Sequence, residues 1–165
     1  MLINGAARHI ASGSTANQLA LKAWDVAVRE AARAAVGNVA APPLVGVAIV
    51  LAIEFRMARS RSHWGKGKNA GRLTPSAPLY PISKPDSSKL LRATEDSLTG
   101  IVWDDDSRVS LHHVDRLYAL PGREGATVVI ASRDEMVGLR IDAVLSAAAK
   151  APTIAAPVQE ARSIA

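Results

Sequence analysis

The sequence of 165 residues contains no cysteine, which excludes disulfide bonds, thiol catalysis and zinc sites built on cysteine. Aromatic residues are scarce, with three Trp, two Tyr and one Phe. Alanine is abundant, which reflects a GC-rich genome as much as a preference for one fold. The length suits one domain with a real core and a short tail.

The sequence also lacks a long hydrophobic run. Its most apolar stretch, residues 44–53, covers about ten residues, whereas a membrane-spanning helix needs about 20. This stretch therefore predicts a buried strand and no membrane partner. Residues 1–14 lack a basic segment followed by an apolar one, so we expect no secretory signal and a cytoplasmic protein.

Acidic residues are nearly absent from residues 56–92, which hold nine Lys or Arg and the single acid Asp86. The whole chain has a net charge of +5 and a pI of about 10.0, which favours an anionic partner, either nucleic acid or a membrane surface. Glycines and four prolines indicate irregular structure here. The competing interpretation is a solvated, mobile loop whose charge only aids solubility.

We interpret residues 56–92 as a nucleic-acid contact, because spaced cations suit phosphates. His63, Trp64 and Tyr80 among them suit stacking on bases or sugars. The candidate DNA contacts in this stretch are Arg61, His63, Lys66, Lys68, Arg72, Lys84 and Lys89.

Hydrophobic periodicity predicts two helices. In residues 16–36, Leu21, Trp24 and Val28 begin an apolar stripe at spacings of three and four. In residues 86–99, Leu90 and its neighbours form a similar stripe after a Pro-Asp step that suits a helix start.

Three strands are predicted from the rest of the pattern. Residues 44–55 are apolar on both faces, which is typical of a central strand covered on both sides. Residues 108–120 alternate loosely between apolar and polar, a Pro-Gly turn follows, and residues 126–131 indicate a second strand, so the pair predicts a β-hairpin. We expect a flexible segment at 1–15, one domain at 16–133, and a short helix followed by a disordered alanine-rich tail at 134–165.

Acidic residues flank the second predicted helix, with Asp86 at its start and Asp104, Asp105 and Asp106 beyond its end. Magnesium prefers carboxylate oxygens, and a bound ion promotes phosphodiester cleavage by polarising the phosphate and activating water. The two groups can meet only if the chain turns back after Gly100. The alternative is an exposed acidic turn, with Asp86 as an ordinary helix cap.

The sequence DSSKLLR at residues 86–92, DSL at 96–98 and WDDDSRV at 103–109 resembles a family signature. That signature runs D-x-D-N-L-x-K, then D-A-L, then D-D-x-Q-V after a hydrophobic-aromatic step, and it belongs to the RusA family of Holliday-junction resolvases. These are small phage and bacterial endonucleases. The resemblance covers about residues 18–131 and includes the basic stretch before the signature.

The resemblance implies an α/β (α+β) fold with helices packed on a small mixed β-sheet. It also implies a homodimer that nicks four-way and other branched DNA symmetrically, with magnesium or manganese as cofactor, in recombination and repair. Asp86 and Asp106 match metal-binding aspartates of the catalytic site, and Asp105 matches their acidic neighbour in the metal site. Arg92 stands where the family has a catalytic or phosphate-binding lysine, and Arg116 lies near a further basic position for DNA.

Two departures from the signature bear on activity. Ser88 stands where the family has a second metal-binding aspartate, and a neutral hydroxyl is a poor ligand for a hard cation. Arg92 keeps the charge of the family's lysine but cannot reproduce its point donor. Three hypotheses follow: an active magnesium-dependent resolvase, a catalytically weakened relative that binds branched DNA, and a membrane-surface or generic nucleic-acid-binding protein.

Overall fold

A computed structural model describes residues 2–4, 15–37 and 40–135. Within these ranges the chain forms two helices and four strands. In chain order they are β1 (Leu2–Asn4), α1 (Thr15–Val36), β2 (Ile49–Met57), α2 (Ser87–Leu98), β3 (Val109–Tyr118) and β4 (Gly125–Ser132). No helix among the described residues is long and apolar enough to cross a membrane.

The strands form one mixed sheet in the order β1-β4-β2-β3. β2 runs parallel to β3 and antiparallel to β4, and β4 pairs antiparallel with β1. The predicted mixed sheet with helices packed on it is confirmed, as is the central position of β2. β1 lies inside the segment predicted to be flexible, and residues 5–14 lie outside the described ranges.

The predicted hairpin between residues 108–120 and 126–131 is wrong. β3 and β4 both exist, but β2 lies between them and pairs with each along nearly its whole length. The turn at Pro121–Gly122 therefore carries the chain across the end of β2 instead of joining neighbouring strands. An apolar strand such as β2 gains more as a central strand, where both of its edges are hydrogen bonded, than it would at an exposed edge.

β2 also begins later than predicted, at Ile49 instead of residue 44. Gly46 has φ +70°, a left-handed conformation that ends any extended run through this point. Val45 and Val47 are exposed on either side of it. Leu44 instead donates its backbone N–H to the carbonyl of Val102 at 3.1 Å, which ties the start of the stretch to the turn after α2.

Both helices pack on one face of the sheet. Trp24 and Val28 of α1 and Leu90 of α2 join the odd-numbered side chains of β2 in one buried cluster, as the predicted stripes require. Leu21, predicted to belong to the stripe of α1, is exposed. Trp24 Nε1 donates to Thr94 Oγ1 at 3.2 Å, which in turn donates to the carbonyl of Leu90 at 2.8 Å. This buried bridge fixes α1 against α2.

The other face of β2 carries Val50, Ala52, Glu54 and Arg56. Val50 and Ala52 are buried, but neither belongs to the cluster that the two helices form with the sheet. The prediction of a second covering layer is not met by any helix within the described ranges. The predicted helix and tail at 134–165 lie almost wholly outside those ranges, which end at Glu135.

Candidate functional site

Backbone hydrogen bonds fold residues 60–77 into a small ordered unit, here called the basic hairpin. Gly65 N–H donates to the carbonyl of Arg72 at 2.8 Å, and Thr74 N–H donates to the carbonyl of His63 at 3.0 Å. A Cβ added at Gly65 would lie 2.5 Å from the backbone oxygen of Asn69, so the backbone of this unit approaches too closely for any side chain there.

The basic hairpin is anchored at the end of β3 by contacts to Tyr118. The Arg59 guanidinium lies 4.1 Å from the centre of the Tyr118 ring, and the His63 ring meets it edge-on with centroids 5.5 Å apart. His63 is half-buried in this contact. The predicted DNA-binding role of His63 stays a prediction, and the structure gives it an anchoring contact.

The other candidate DNA contacts of the stretch lie on the surface. Within the described ranges, only Lys89 among them forms an ion pair, with Asp86 at 3.5 Å. The remaining cations therefore present unneutralised charge to solvent. The exposed candidates are Arg61, Lys66, Lys68, Arg72, Lys84 and Lys89.

Arg116, also predicted to bind DNA, points into the protein's own backbone. Its guanidinium donates to the carbonyl oxygens of Pro81 at 2.7 Å, Ser83 at 3.2 Å and Pro85. These carbonyls belong to the segment that leads directly into α2. Arg116 of β3 therefore fixes the position from which Asp86 begins that helix.

Asp86 occupies the N-cap position of α2, but its side chain makes no capping hydrogen bond. Its carboxylate is about half exposed and lies beside the Lys89 ammonium. Ser88 and Arg92 are also exposed, in the first and second turns of the helix. The start of α2 thus presents the carboxylate of Asp86, with the exposed cations Lys89 and Arg92 close to it in sequence.

The three other aspartates follow α2 after a tight turn in which Gly100 has φ +79°. Trp103 is fully buried, and its Nε1 donates to Thr99 Oγ1 at 3.1 Å, which fixes the turn. Asp104 pairs with Arg108 at 3.2 Å. Asp105 accepts the Ser107 backbone N–H at 2.8 Å and caps the short 3-10 turn that Asp106 begins.

Local hydrogen bonds keep two of these aspartates ionised. The hydrogen bond from Arg108 lowers the pKa of Asp104 below its usual value of 3.8. The hydrogen bonds from Ser107 lower the pKa of Asp105 in the same direction. Both carboxylates are exposed, with the Asp104 side chain 33% accessible, and both carry negative charge at neutral pH.

The structure places Asp86 and Asp104–Asp106 at opposite ends of α2. The 12 residues of this helix span about 18 Å. β3 then runs back beside α2, with His112 Nε2 2.7 Å from Glu95 Oε1 and Arg116 on the carbonyl of Pro85. The chain does turn back after Gly100, but the aspartates lie at the turn itself, before β3 starts its return.

A single chain therefore does not gather these carboxylates. Among the described residues there is no group of three His, Asp or Glu side chains that could hold a metal ion. The carboxylates have the right chemistry for a hard divalent cation, but one protomer does not supply enough of them in one place. The predicted metal and catalytic residues accordingly stay predictions.

Comparison with known proteins gives one clear result. A family model described as endodeoxyribonuclease RusA matches residues 4–130, which is most of the chain. No curated protein and no solved structure shows a significant match. The matched range contains the basic hairpin, α2 and both groups of aspartates.

Proposed function

This chain belongs to the RusA family of endodeoxyribonucleases, and we propose that it cuts four-way DNA junctions as a magnesium-dependent homodimer. The family match carries the nuclease assignment and the branched-DNA substrate class. The surface supports it, because the cationic hairpin is anchored at Tyr118 of β3, the strand whose Arg116 also holds the segment leading into α2.

The exposed cations of the basic hairpin and of the start of α2 bind the DNA phosphates in this proposal. Each Lys or Arg that neutralises a phosphate releases condensed counterions, which favours binding at low salt. Since no acid lies between residues 56 and 85, no charge of the segment itself competes for these cations. Lys89 and Arg92 sit within two turns of Asp86 and would hold the phosphate nearest to that carboxylate.

The separation of the aspartates supports a dimeric site. In a two-fold dimer with the α2 helices antiparallel, the Asp86 end of one protomer faces the Asp106 end of its partner, and the arrangement occurs twice. Each site would then combine Asp86 from one copy with Asp105 and Asp106 from the other. A four-way junction has the same two-fold symmetry, so two such sites suit paired cuts.

Magnesium is the ion that this donor set fits, since carboxylate oxygens are its preferred ligands; manganese accepts the same donors. Such an ion stabilises the charge that develops at a phosphodiester during cleavage. The chain's own part is to hold the donors: Arg116 fixes the backbone before Asp86, and the Ser107 N–H orients the Asp105 carboxylate.

A second candidate function, binding of branched DNA with weakened cleavage, is favoured by Ser88. It is exposed in the first turn of α2, two residues from Asp86, where the family signature has an aspartate. Loss of one carboxylate reduces the charge available to hold a cation. Even changes beside metal ligands typically cost about 10- to 100-fold in metal affinity or activity.

The deciding experiment is magnesium-dependent cleavage of a synthetic four-way junction beside a linear duplex of the same length. We expect nicks in the junction with the wild-type protein and none with Asp106→Asn. A protein that binds the junction but never cleaves it, with either metal, contradicts the nuclease proposal. If Ser88→Asp combined with Arg92→Lys then raises cleavage sharply, the weakened relative is the correct description.

A further inference from the structure

Three large apolar side chains are exposed on the segment between the basic hairpin and α2. Leu79 is 73% exposed, Tyr80 59% and Ile82 82%. We call them the apolar ridge. Pro81 between them is buried, so the backbone lies against the protein while its neighbours project outward. Clustered exposed apolar side chains are unfavourable in water and commonly mark a contact surface.

Two arginines fix the backbone of the apolar ridge through hydrogen bonds to one carbonyl oxygen within it and to the one just before it. Arg59 donates to the carbonyl of Pro78 at 2.9 Å, just before the ridge, and Arg116 donates to the carbonyl of Pro81 within it. The prolines at 78 and 81 also fix their own φ angles. Since little conformational entropy is left to lose, a ligand that contacts the ridge binds at low ordering cost.

The surroundings of the apolar ridge identify what it fits. Along the chain it lies between the exposed cations of the basic hairpin and those of α2, in a stretch whose single acid is Asp86. A matching partner is therefore a polyanion that also offers flat apolar faces. Nucleic acid has both properties, but bases within a continuous duplex are covered by their neighbours, whereas bases at a branch point have open faces.

We propose that Tyr80, flanked by Leu79 and Ile82, stacks on exposed bases at the branch point of a DNA junction. This inference rests on the proposed function and deepens it. It assigns the choice of branched over linear DNA to the apolar ridge, separately from the carboxylates that serve cleavage. The cations supply affinity for any phosphate backbone, and the ridge supplies preference for an interrupted stack.

The test measures Kd for a four-way junction and for linear duplex in EDTA, which removes cleavage from the assay. Base–aromatic stacking sets the expected scale, so Tyr80→Ala should weaken junction binding by about 5- to 150-fold and duplex binding little. Tyr80→Phe, which keeps the ring, should restore most of the loss. Leu19→Ser is the matched control, because Leu19 is 64% exposed on α1 and lies outside the basic stretch.

A 2-aminopurine base placed at the branch point gives a second readout. Its fluorescence should change when wild-type protein binds and should change much less with Tyr80→Ala at saturating protein. Equal losses of junction and duplex affinity would overturn the proposal, as would wild-type fluorescence behaviour in the variant. If Tyr80→Ala loses the self-association that wild type shows in sedimentation experiments, the proposal would also be overturned, because the ridge would then be an interface between copies.

The same assays separate this inference from the proposed function. Selective junction binding that depends on Tyr80, without any cleavage when magnesium is supplied, would overturn the nuclease proposal and support the ridge. Cleavage with wild-type selectivity by Tyr80→Ala would overturn the ridge and support the nuclease. A wild-type protein that binds junctions and duplex equally but cleaves junctions would overturn the ridge and support the nuclease, and one that shows neither preference nor cleavage would overturn both.

Discussion

Replacing Arg116 separates two roles that the same residue could play. If it binds DNA directly, the variant loses one phosphate contact, and the dependence of log K on log salt should fall by about one unit. If it acts as a positioning residue, as its three bonds to backbone carbonyls indicate, the salt dependence should stay unchanged. We expect the second result for Arg116→Ala.

The size of the effect follows from those bonds. A hydrogen bond to a charged group contributes about 1.5–3 kcal/mol. The bond to Ser83 is exposed, so its carbonyl regains water, whereas the bonds to Pro81 and Pro85 are part-buried. We therefore expect a global loss of about 3 kcal/mol or more in urea unfolding, from the two part-buried bonds. Cleavage by the folded protein should also fall, because a shift of about 1 Å at a reacting group can cost about 100-fold.

Steady-state cleavage of a junction measures this prediction, with kcat and KM determined separately. Arg116→Ala should lower kcat at least tenfold, by the same misplacement argument, and leave KM and salt dependence close to wild type. Arg116→Lys is the matched control, because it keeps the positive charge while its single ammonium cannot reach all three carbonyls. It should therefore fail to restore kcat. An unchanged kcat with a raised KM and a shallower salt slope would refute the reasoning.

Three further predictions concern stability and the basic hairpin. Thr94→Val leaves Trp24 Nε1 buried without an acceptor and should cost about 1–3 kcal/mol in urea unfolding, whereas Thr94→Ser should cost less. Gly65→Ala should weaken DNA binding in a fluorescence titration with little change in urea unfolding, because its Cβ would strike the Asn69 backbone within the basic hairpin. Burial raises the pKa of Asp25, but hydrogen bonds from a serine and an arginine outweigh it, so the pKa falls below 3.8. The stabilisation is then present above 3.8 and is lost as pH falls from 3.8 through the lower pKa of the folded state, so the difference in unfolding free energy between wild type and Asp25→Asn should shrink over that range.

Much of the fold could be predicted because local pattern and tertiary packing agree. The stripe through Trp24 and Val28 is a buried helix face, and the apolar run ending at Phe55 is the central strand. The hairpin was wrong because alternation and a Pro-Gly turn report only that two strands follow one another. Which strand pairs with which is decided by β2, which is distant in sequence.

The candidate site was less predictable. The signature around Asp86 and Asp106 identified the family, and the helix between them was predicted. Spacing could not show that the aspartates lie at the turn after Gly100 instead of returning to Asp86. Sequence likewise gave no sign that Arg59 and Arg116 bind backbone carbonyls, since a basic residue in a basic region first suggests a phosphate contact. The closely spaced prolines at 78, 81 and 85 were the one available signal of a fixed backbone.

The insertion of β2 between β3 and β4 has a consequence for folding kinetics. Glu54 pairs with Thr127 and Ile53 with Val114, so the sheet joins residues more than 60 positions apart in the chain. Neither pairing can nucleate locally, and both require the intervening segment to close as a loop first. We therefore expect a slow, highly cooperative folding transition whose rate depends chiefly on β2.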